Sequence, residues 1–522
     1  MTFTSRLLVF AVFPILALLS LQAWYPTVLR DIENVVLPLI TNVPFSRNLS
    51  IPGPPLRADT PLIVTAFPHW SHYEKIARIA VALADLGYPI TFITGRIFEQ
   101  NVGSLHANIT FQPIIGQPDK LSAEDYEVLK TLKPGSVEER VFLETKAFVD
   151  GMPDQHHTLQ NVFSSFRKAH GSSKPLISLY DVPFGGHIPI LLGAPGIKPY
   201  ASVALSCHPL TLDSVDTYPF HMGKKPHIGS DAVSIHHEAN QQHNMDDATR
   251  KISQAFWQKA KDLGSVEMHD WHTYHTMAAV PDHLMVLGVP EFEYSRSDLR
   301  PNVHYFGAFP KDKQQQSSEL NLPEWWDDVA VAKTAGKKIV AVSQGTLGTN
   351  MGDLLLPTLE ALKDRDDILV IATTVAVEVK DVPNLVIPKN ARVAKFVPYD
   401  LLIPKLDVLV NNGGFGAVIS SLSQGVPMVL AGTGQDKNVT NTIVDWKEVG
   451  INLGRIDPTV DQLRDSIFKV LEEEKYRRNA IAMSKIFERY NLSEVFDNVI
   501  QDIVRRWQEV ESGIRKNDAF RG

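Results

Sequence analysis

The run Phe396–Gly450, FVPYDLLIPKLDVLVNNGGFGAVISSLSQGVPMVLAGTGQDKNVTNTIVDWKEVG, decides the fold. Val408, Leu409 and Val410 form a short apolar strand, and Asn411-Asn412-Gly413-Gly414 follow it directly. Ala417–Leu422 then reads as a helix and Val426–Leu430 as the next strand. A glycine turn between strand and helix lets backbone approach a ligand closely, and the helix N-terminus that follows favours an anion. The loop from Gly432 to Asp436 leaves the next strand at the same carboxyl edge, where ligands of open parallel sheets bind.

A strand, two glycines and a helix occur in many α/β proteins, but the full order is more specific. Phe396-Val397-Pro398 comes first, then Gly413-Gly414, then Gly425-Val426-Pro427, then Asp436-Lys437. This order resembles the donor-binding signature of the UDP-glycosyltransferases, and is most similar to fungal and bacterial sterol- and natural-product-type members. The resemblance covers about residues 61–510. It implies an α/β chain of the GT-B fold, with two Rossmann-like doubly wound domains facing across a cleft. It also implies roles for matched positions. Phe396 would stack on uracil, and Val397 would bind it through backbone. Asn412, Gly413, Gly414, Gly416 and Ala417 would face the diphosphate, and Asp436 would hold sugar hydroxyls. Three positions depart from the family pattern. Asn412 stands where a histidine is usual, Ser420 where a glutamate grips the ribose, and Lys437 where a glutamine follows the acidic residue. Asn412 keeps a hydrogen-bond donor but carries no charge. Ser420 is too short for a ribose, and Lys437 adds a cation.

Length and composition agree with this reading. A chain of 522 residues suits two or more domains. With 44% apolar and 21% charged residues it is globular, and its net charge of −8 gives no basic footprint for nucleic acid. The single cysteine, Cys207, excludes an intrachain disulfide and reads as a small buried residue.

Residues 7–24, LLVFAVFPILALLSLQAW, are almost wholly apolar and follow Arg6. They read as a signal anchor or signal peptide, with the uncleaved anchor favoured because no clean small-x-small site follows. Arg6 on the short side favours a cytoplasmic N-terminus. The expected location is therefore the membrane, as a single-pass protein of the endoplasmic reticulum, or the lumen and exterior if the segment is cleaved. Proline-rich residues 25–60 read as a stalk. Sequons occur at Asn48, Asn108, Asn438 and Asn491; Asn438 lies beside the expected donor site, where a glycan would interfere.

The N-terminal, acceptor-binding domain is expected over 61–310. Leu62–Phe67 reads as a strand, Pro68–His72 as a loop, and Ile76, Ile79, Ala80 and Leu83 mark a helix face. Ser71-His72 falls where the family carries Gly-His, so the resemblance makes His72 the general base, a task that imidazole suits near neutral pH. An imidazole base needs an orienting carboxylate. The strand Leu176–Leu179 ends at Tyr180-Asp181, the place of the family's partner acid, although Asp181 alone would serve equally as a cap or turn residue.

Between about 205 and 280 the chain is rich in histidine. His221, His227, His236, His237 and His243 read as polar loop and His269, His272 and His275 follow, together suggesting a solvated acceptor-facing surface rather than a metal site. Trp257, Trp271 and Met277 suit an apolar pocket or ordinary core. The polar stretch Lys311–Ser318 marks a linker over 311–322. The C-terminal, nucleotide-sugar domain is expected over 323–484. Ile339–Ser343 opens it as a strand, and the amides of Gly345 and Thr346 and the Thr346 hydroxyl follow as hydrogen-bond donors to phosphate. Leu385–Ile387 reads as another strand. Residues 485–522 carry a one-sided helix that would cross back to the first domain.

The resemblance thus implies an inverting hexosyltransferase that acts on a UDP-sugar and a lipophilic small-molecule hydroxyl, without metal or other cofactor. The alternatives are a binding protein that has lost transfer, or a nucleotide-sugar hydrolase or epimerase.

Overall fold

The computed structural model describes residues 56–117, 121–133, 136–310, 322–345, 348–375 and 377–513. The apolar segment 7–24, most of the expected stalk, Asn48, the polar linker 311–318 and Thr346 lie outside the described residues. No helix of the described residues is long and apolar enough to cross a membrane.

Two sheets organise these residues. The first contains β1 (Leu62–Thr65), β2 (Ile90–Thr94), β3 (Ile109–Pro113), β4 (Ile177–Asp181), β5 (Ala201–Ser206), β6 (His283–Val286) and β7 (Val303–Tyr305), in the order β3-β2-β1-β4-β5-β6-β7. The second contains β8 (Lys338–Ser343), β9 (Ile368–Thr373), β10 (Ala391–Ala394), β11 (Val408–Asn411), β12 (Met428–Leu430) and β13 (Gly450–Asn452), in the order β10-β9-β8-β11-β12-β13. Every pairing between these strands is parallel. Helices cover both faces of a parallel sheet, so its strands are apolar runs rather than alternating ones. The central strands show this: all residues of β1, β4, β5, β9 and β11 are buried.

Each sheet reverses its winding once, between β1 and β4 in the first and between β8 and β11 in the second. Ligands of doubly wound folds bind outside the strand ends at such switch points. Thr65 pairs with Tyr180, which brings the residues after β1 beside Asp181. Ser343 pairs with Asn411, which brings Gln344-Gly345 beside Asn412-Gly413.

The C-terminal helix Leu492–Glu511 packs on the first sheet's side. Phe306 meets Phe496 with ring centroids 5.3 Å apart. Asp497 accepts Arg57 Nε and Nη2 at 2.8 and 2.7 Å and the buried Tyr88 hydroxyl at 2.6 Å. Arg57, at the end of the segment read as a stalk, is therefore tied to the body.

Two local expectations change. Leu385–Ile387 is not a strand. Val386 and Ile387 are exposed, and the strand forms at β10, after Pro388. The histidine-rich region is a solvated surface only in part: His237 and His269 are exposed, and others turn inward. The helix Ala232–Met245 turns His236 and His243 inward, and His272 is 2% exposed. Of the two readings open for Trp257 and Met277 the core one holds, with Trp257 Nε1 donating to Trp271 O at 2.8 Å.

Candidate active site

The chain leaves β1 at Thr65 and turns into the helix Trp70–Asp85, so His72 sits in a helical first turn rather than in a loop. First-turn amides have no partner within the helix. Those of His72 and Tyr73 donate to His69 O at 3.0 and 2.8 Å. Asp181 ends β4 and its side chain is fully buried. Its Oδ2 lies 2.9 Å from His72 Nδ1 and accepts the Phe67 backbone N–H at 3.2 Å. The imidazole–carboxylate contact has hydrogen-bonding distance but not hydrogen-bonding angle, and such contacts commonly tighten when substrate binds. Phe67 packs edge-on against His72 with centroids 5.6 Å apart, and the imidazole side chain keeps 29% exposure toward solvent.

Two further imidazoles crowd this edge. His69 Nδ1 lies 2.9 Å from Ser71 Oγ. Burial pushes its pKa down, with His72 and Lys75 adding to the effect. His208 follows β5 by two residues. Its Nδ1 lies 2.9 Å from Pro209 O, which fixes the proton there and leaves Nε2 as the acceptor. Burial lowers the His208 pKa, His72 lowers it further, and Asp436 and Asp181 oppose the fall. One imidazole therefore senses His72 and Asp181 from the first sheet and Asp436 from the second. Sequence reasoning missed His208, since nothing but its place after a strand separates it from the other histidines. The neighbouring Cys207 is buried, and burial holds its thiol neutral.

The second sheet brings its loops together at one edge. Gly345 has φ +75°, and a Cβ placed there would meet Asn412 Nδ2 at 3.2 Å. Asn412 Nδ2 donates to Gln344 O, and Asn412 Oδ1 accepts from Gly414 N at 3.3 Å. Its side chain thus joins the β8 and β11 loops. Gly413 has φ +90° and faces Asn441, whose Nδ2 donates to Gly432 O at 3.1 Å. Asn441, also missed in the sequence, fastens the Gly413 loop to the Gly432 loop. Gly414 caps the helix Phe415–Ser423 without a side-chain hydrogen bond, and its carbonyl accepts the Ala417 amide at 3.0 Å, so the first-turn amides left open are those of Phe415 and Gly416. Phe396 is 64% exposed at the rim while Val397 is buried. Asp436 is the N-cap residue of the helix Lys437–Trp446, and Lys437 Nζ donates to Gln435 Oε1 at 2.6 Å. Asn438, the sequon residue, accepts from Gly434 N at 3.3 Å.

The two edges face each other. Thr442 Oγ1 donates to Gly223 O at 2.7 Å, and Lys225 Nζ lies 2.5 Å from Asp445 Oδ2. Phe292 and Phe415 meet with centroids 6.4 Å apart. The site residues expected from the sequence therefore fall into two groups across one cleft: His72 and Asp181 on one wall, and Gly345, Phe396, Val397, Asn412–Gly414, Gly416, Ala417, Asp436 and Lys437 on the other. Among the described residues no three His, Cys, Asp or Glu side chains converge as metal ligands would.

Comparison with known proteins agrees with this architecture. Residues 357–498 match the family described as the erythromycin biosynthesis protein CIII-like C-terminal domain. The chain is 36% identical over 447 residues to UDP-glycosyltransferase 2 of Phaeomoniella chlamydospora, covering 84% of this chain and 94% of that one. It is 31% identical to UDP-glucosyltransferase avaP of Aspergillus versicolor, over 84% of this chain and 96% of the relative. UDP-glucosyltransferase A1 of Starmerella bombicola is also 31% identical, over 85% and 92%. The fold matches the kitacinnamycin glycosyltransferase with TM-score 0.56 at 16% identity, covering 86% of this chain and 98% of that one. It matches spinosyn rhamnosyltransferase complexed with thymidine diphosphate with TM-score 0.55 at 15% identity, over 84% and 99%. The fold is that of the GT-B glycosyltransferases, and the chain belongs to the UDP-glycosyltransferase family. It is an enzyme of that class.

Proposed function

We propose that this UDP-glycosyltransferase moves a hexose, with inversion, from a UDP-sugar to the hydroxyl of a lipophilic small molecule such as a secondary metabolite, sterol or lipid. The observation that carries this reading is His72 Nδ1 at 2.9 Å from the buried Asp181 Oδ2, on the cleft wall opposite Asn412–Ala417. When the contact tightens on substrate binding, Asp181 accepts a hydrogen bond from Nδ1–H, which leaves Nε2 as the base. His72 takes the acceptor proton while the acceptor oxygen attacks the anomeric carbon, and Asp181 stabilises the resulting imidazolium. One direct displacement inverts that carbon.

The diphosphate leaves toward the first turn after Gly414, where the open amides of Phe415 and Gly416 and the helix dipole are preorganised for negative charge. Thr346 would add its amide and hydroxyl. With these groups in place no metal is required. Phe396 stacks on uracil, and Asp436 holds sugar hydroxyls. A small-molecule acceptor is in keeping with one of the solved structures of this fold, a spinosyn rhamnosyltransferase complexed with spinosyn aglycone. Residues 7–24 anchor the chain in the endoplasmic reticulum membrane, or direct it to the lumen if cleaved. The domain limits proposed are 61–310, 323–484 and a returning C-terminal helix.

The test is to supply UDP-glucose with phenols, sterols and fatty alcohols and to determine the anomeric configuration of the product by proton NMR. A β-glucoside from the α-configured donor supports inversion. An α-glucoside, or UDP release that needs no acceptor, contradicts the reading.

A further inference from the structure

Lys75 stands one helical turn beyond His72, on the first domain, yet its side chain reaches the second. A Cβ placed on Gly416, in the first turn of the helix Phe415–Ser423, would meet Lys75 Cε at 3.0 Å and Nζ at 3.8 Å. The ammonium donates to Ser71 O at 2.6 Å, one turn back on its own helix. Among the described residues no carboxylate pairs with it. The helix it faces begins at Gly414 with no side-chain cap, so the amides of Phe415 and Gly416 point outward without an intrahelical acceptor.

A cation against a helix N-terminus is a repulsive arrangement, since both carry positive charge. It becomes favourable when an anion lies between them. The donor loop supplies no charge of its own at Asn412, and that residue's amide is tied to Gln344 O.

We propose that Lys75 clamps the donor diphosphate from across the cleft, against the first turn at Gly414–Gly416, and neutralises the charge that develops on it during transfer. This inference rests on the reading of the donor site given above. In the step, the bond from the anomeric carbon to the diphosphate oxygen breaks and its electron pair stays on that oxygen. The acceptor oxygen forms the new bond to carbon, and its proton passes to His72. The nucleoside diphosphate thereby gains one negative charge, beside the Lys75 side chain.

The test uses the full chain, with UDP and uridine as separate probes in calorimetry and UDP-glucose turnover as the third readout. Lys75→Met is expected to weaken UDP binding at least about tenfold and to lower kcat by roughly 100-fold, while uridine affinity stays unchanged. Lys75→Arg, which keeps the charge, is expected to recover most of both losses. UDP affinity and kcat within about twofold of wild type in Lys75→Met would overturn the proposal. So would equal losses for UDP and uridine, which mean a general distortion. If the wild type binds neither UDP nor uridine, the donor-site reading itself falls, and the proposal with it.

Discussion

Gly413 lies so close to Asn441 that a Cβ on it would stand 1.7 Å from Asn441 Oδ1, and its φ is +90°. The contact closes the turn after β11 against the loop after β12. Both constraints forbid a side chain, whereas Gly414, with φ −59°, has its nearest such neighbour at 3.8 Å. Gly413→Ala should therefore lower stability by roughly 2–4 kcal/mol, combining strain and steric displacement, and should abolish UDP binding. Gly414→Ala should fold normally. Thermal unfolding and UDP titration of the two variants check this; equal behaviour would remove the special role of Gly413.

Phe396 presents a large apolar ring to solvent directly before the buried Val397, an arrangement that core packing does not explain. Stacking of a base on an aromatic ring contributes about 1–3 kcal/mol, so Phe396→Ala should weaken UDP roughly 5- to 150-fold. Phe396→Trp should bind about as well as wild type. Stability should hardly change in either variant, and calorimetry alongside thermal unfolding separates the two effects.

Buried histidines make the first domain sensitive to acid. Burial, the largest cause in each case, lowers the pKa of His243, His275 and His283 to about 4 and that of His221 well below the ordinary value. Around His243, Asp213 and Asp246 oppose the fall while His272 and Arg140 add to it. These groups are neutral when folded but take up protons near pH 6.5 when unfolded. The unfolded state then binds more protons, so stability is complete above about pH 6.5 and falls as pH drops toward 4. Each histidine contributes a slope of up to about 1.4 kcal/mol per pH unit in that window. Denaturant midpoints at pH 7.5, 6 and 5 should decline, and His243→Asn should flatten the decline. A midpoint that holds constant over that range would contradict the argument.

The architecture was legible because parallel strands buried on both faces leave continuous apolar runs, such as Ile90–Thr94 and Ile368–Thr373. Gly413 and Gly414 announced a strand-to-helix turn, and His72 and Asp181 were singled out because the family resemblance puts a base and its partner acid after two such strands. Residues whose meaning depends on what lies opposite were not legible. Lys75 is an unremarkable helical lysine until Gly416 is placed against it. Asn441 reads as an ordinary helix residue until its amide is seen at Gly432. The spacing of His236 and His243 gives one inward helix face, but their polar neighbours disguise it. Val386 and Ile387 misled for the opposite reason, since apolar residues there are left exposed.

The account turns on His72 as the base held by Asp181. The most direct test is turnover of UDP-glucose with a hydroxyl acceptor by wild type, His72→Ala and Asp181→Asn, with UDP affinity measured in parallel. Both variants should bind UDP as wild type does and lose roughly 10²–10⁴-fold in kcat. Turnover by His72→Ala within a few-fold of wild type, with intact UDP binding, would contradict the assignment of the base.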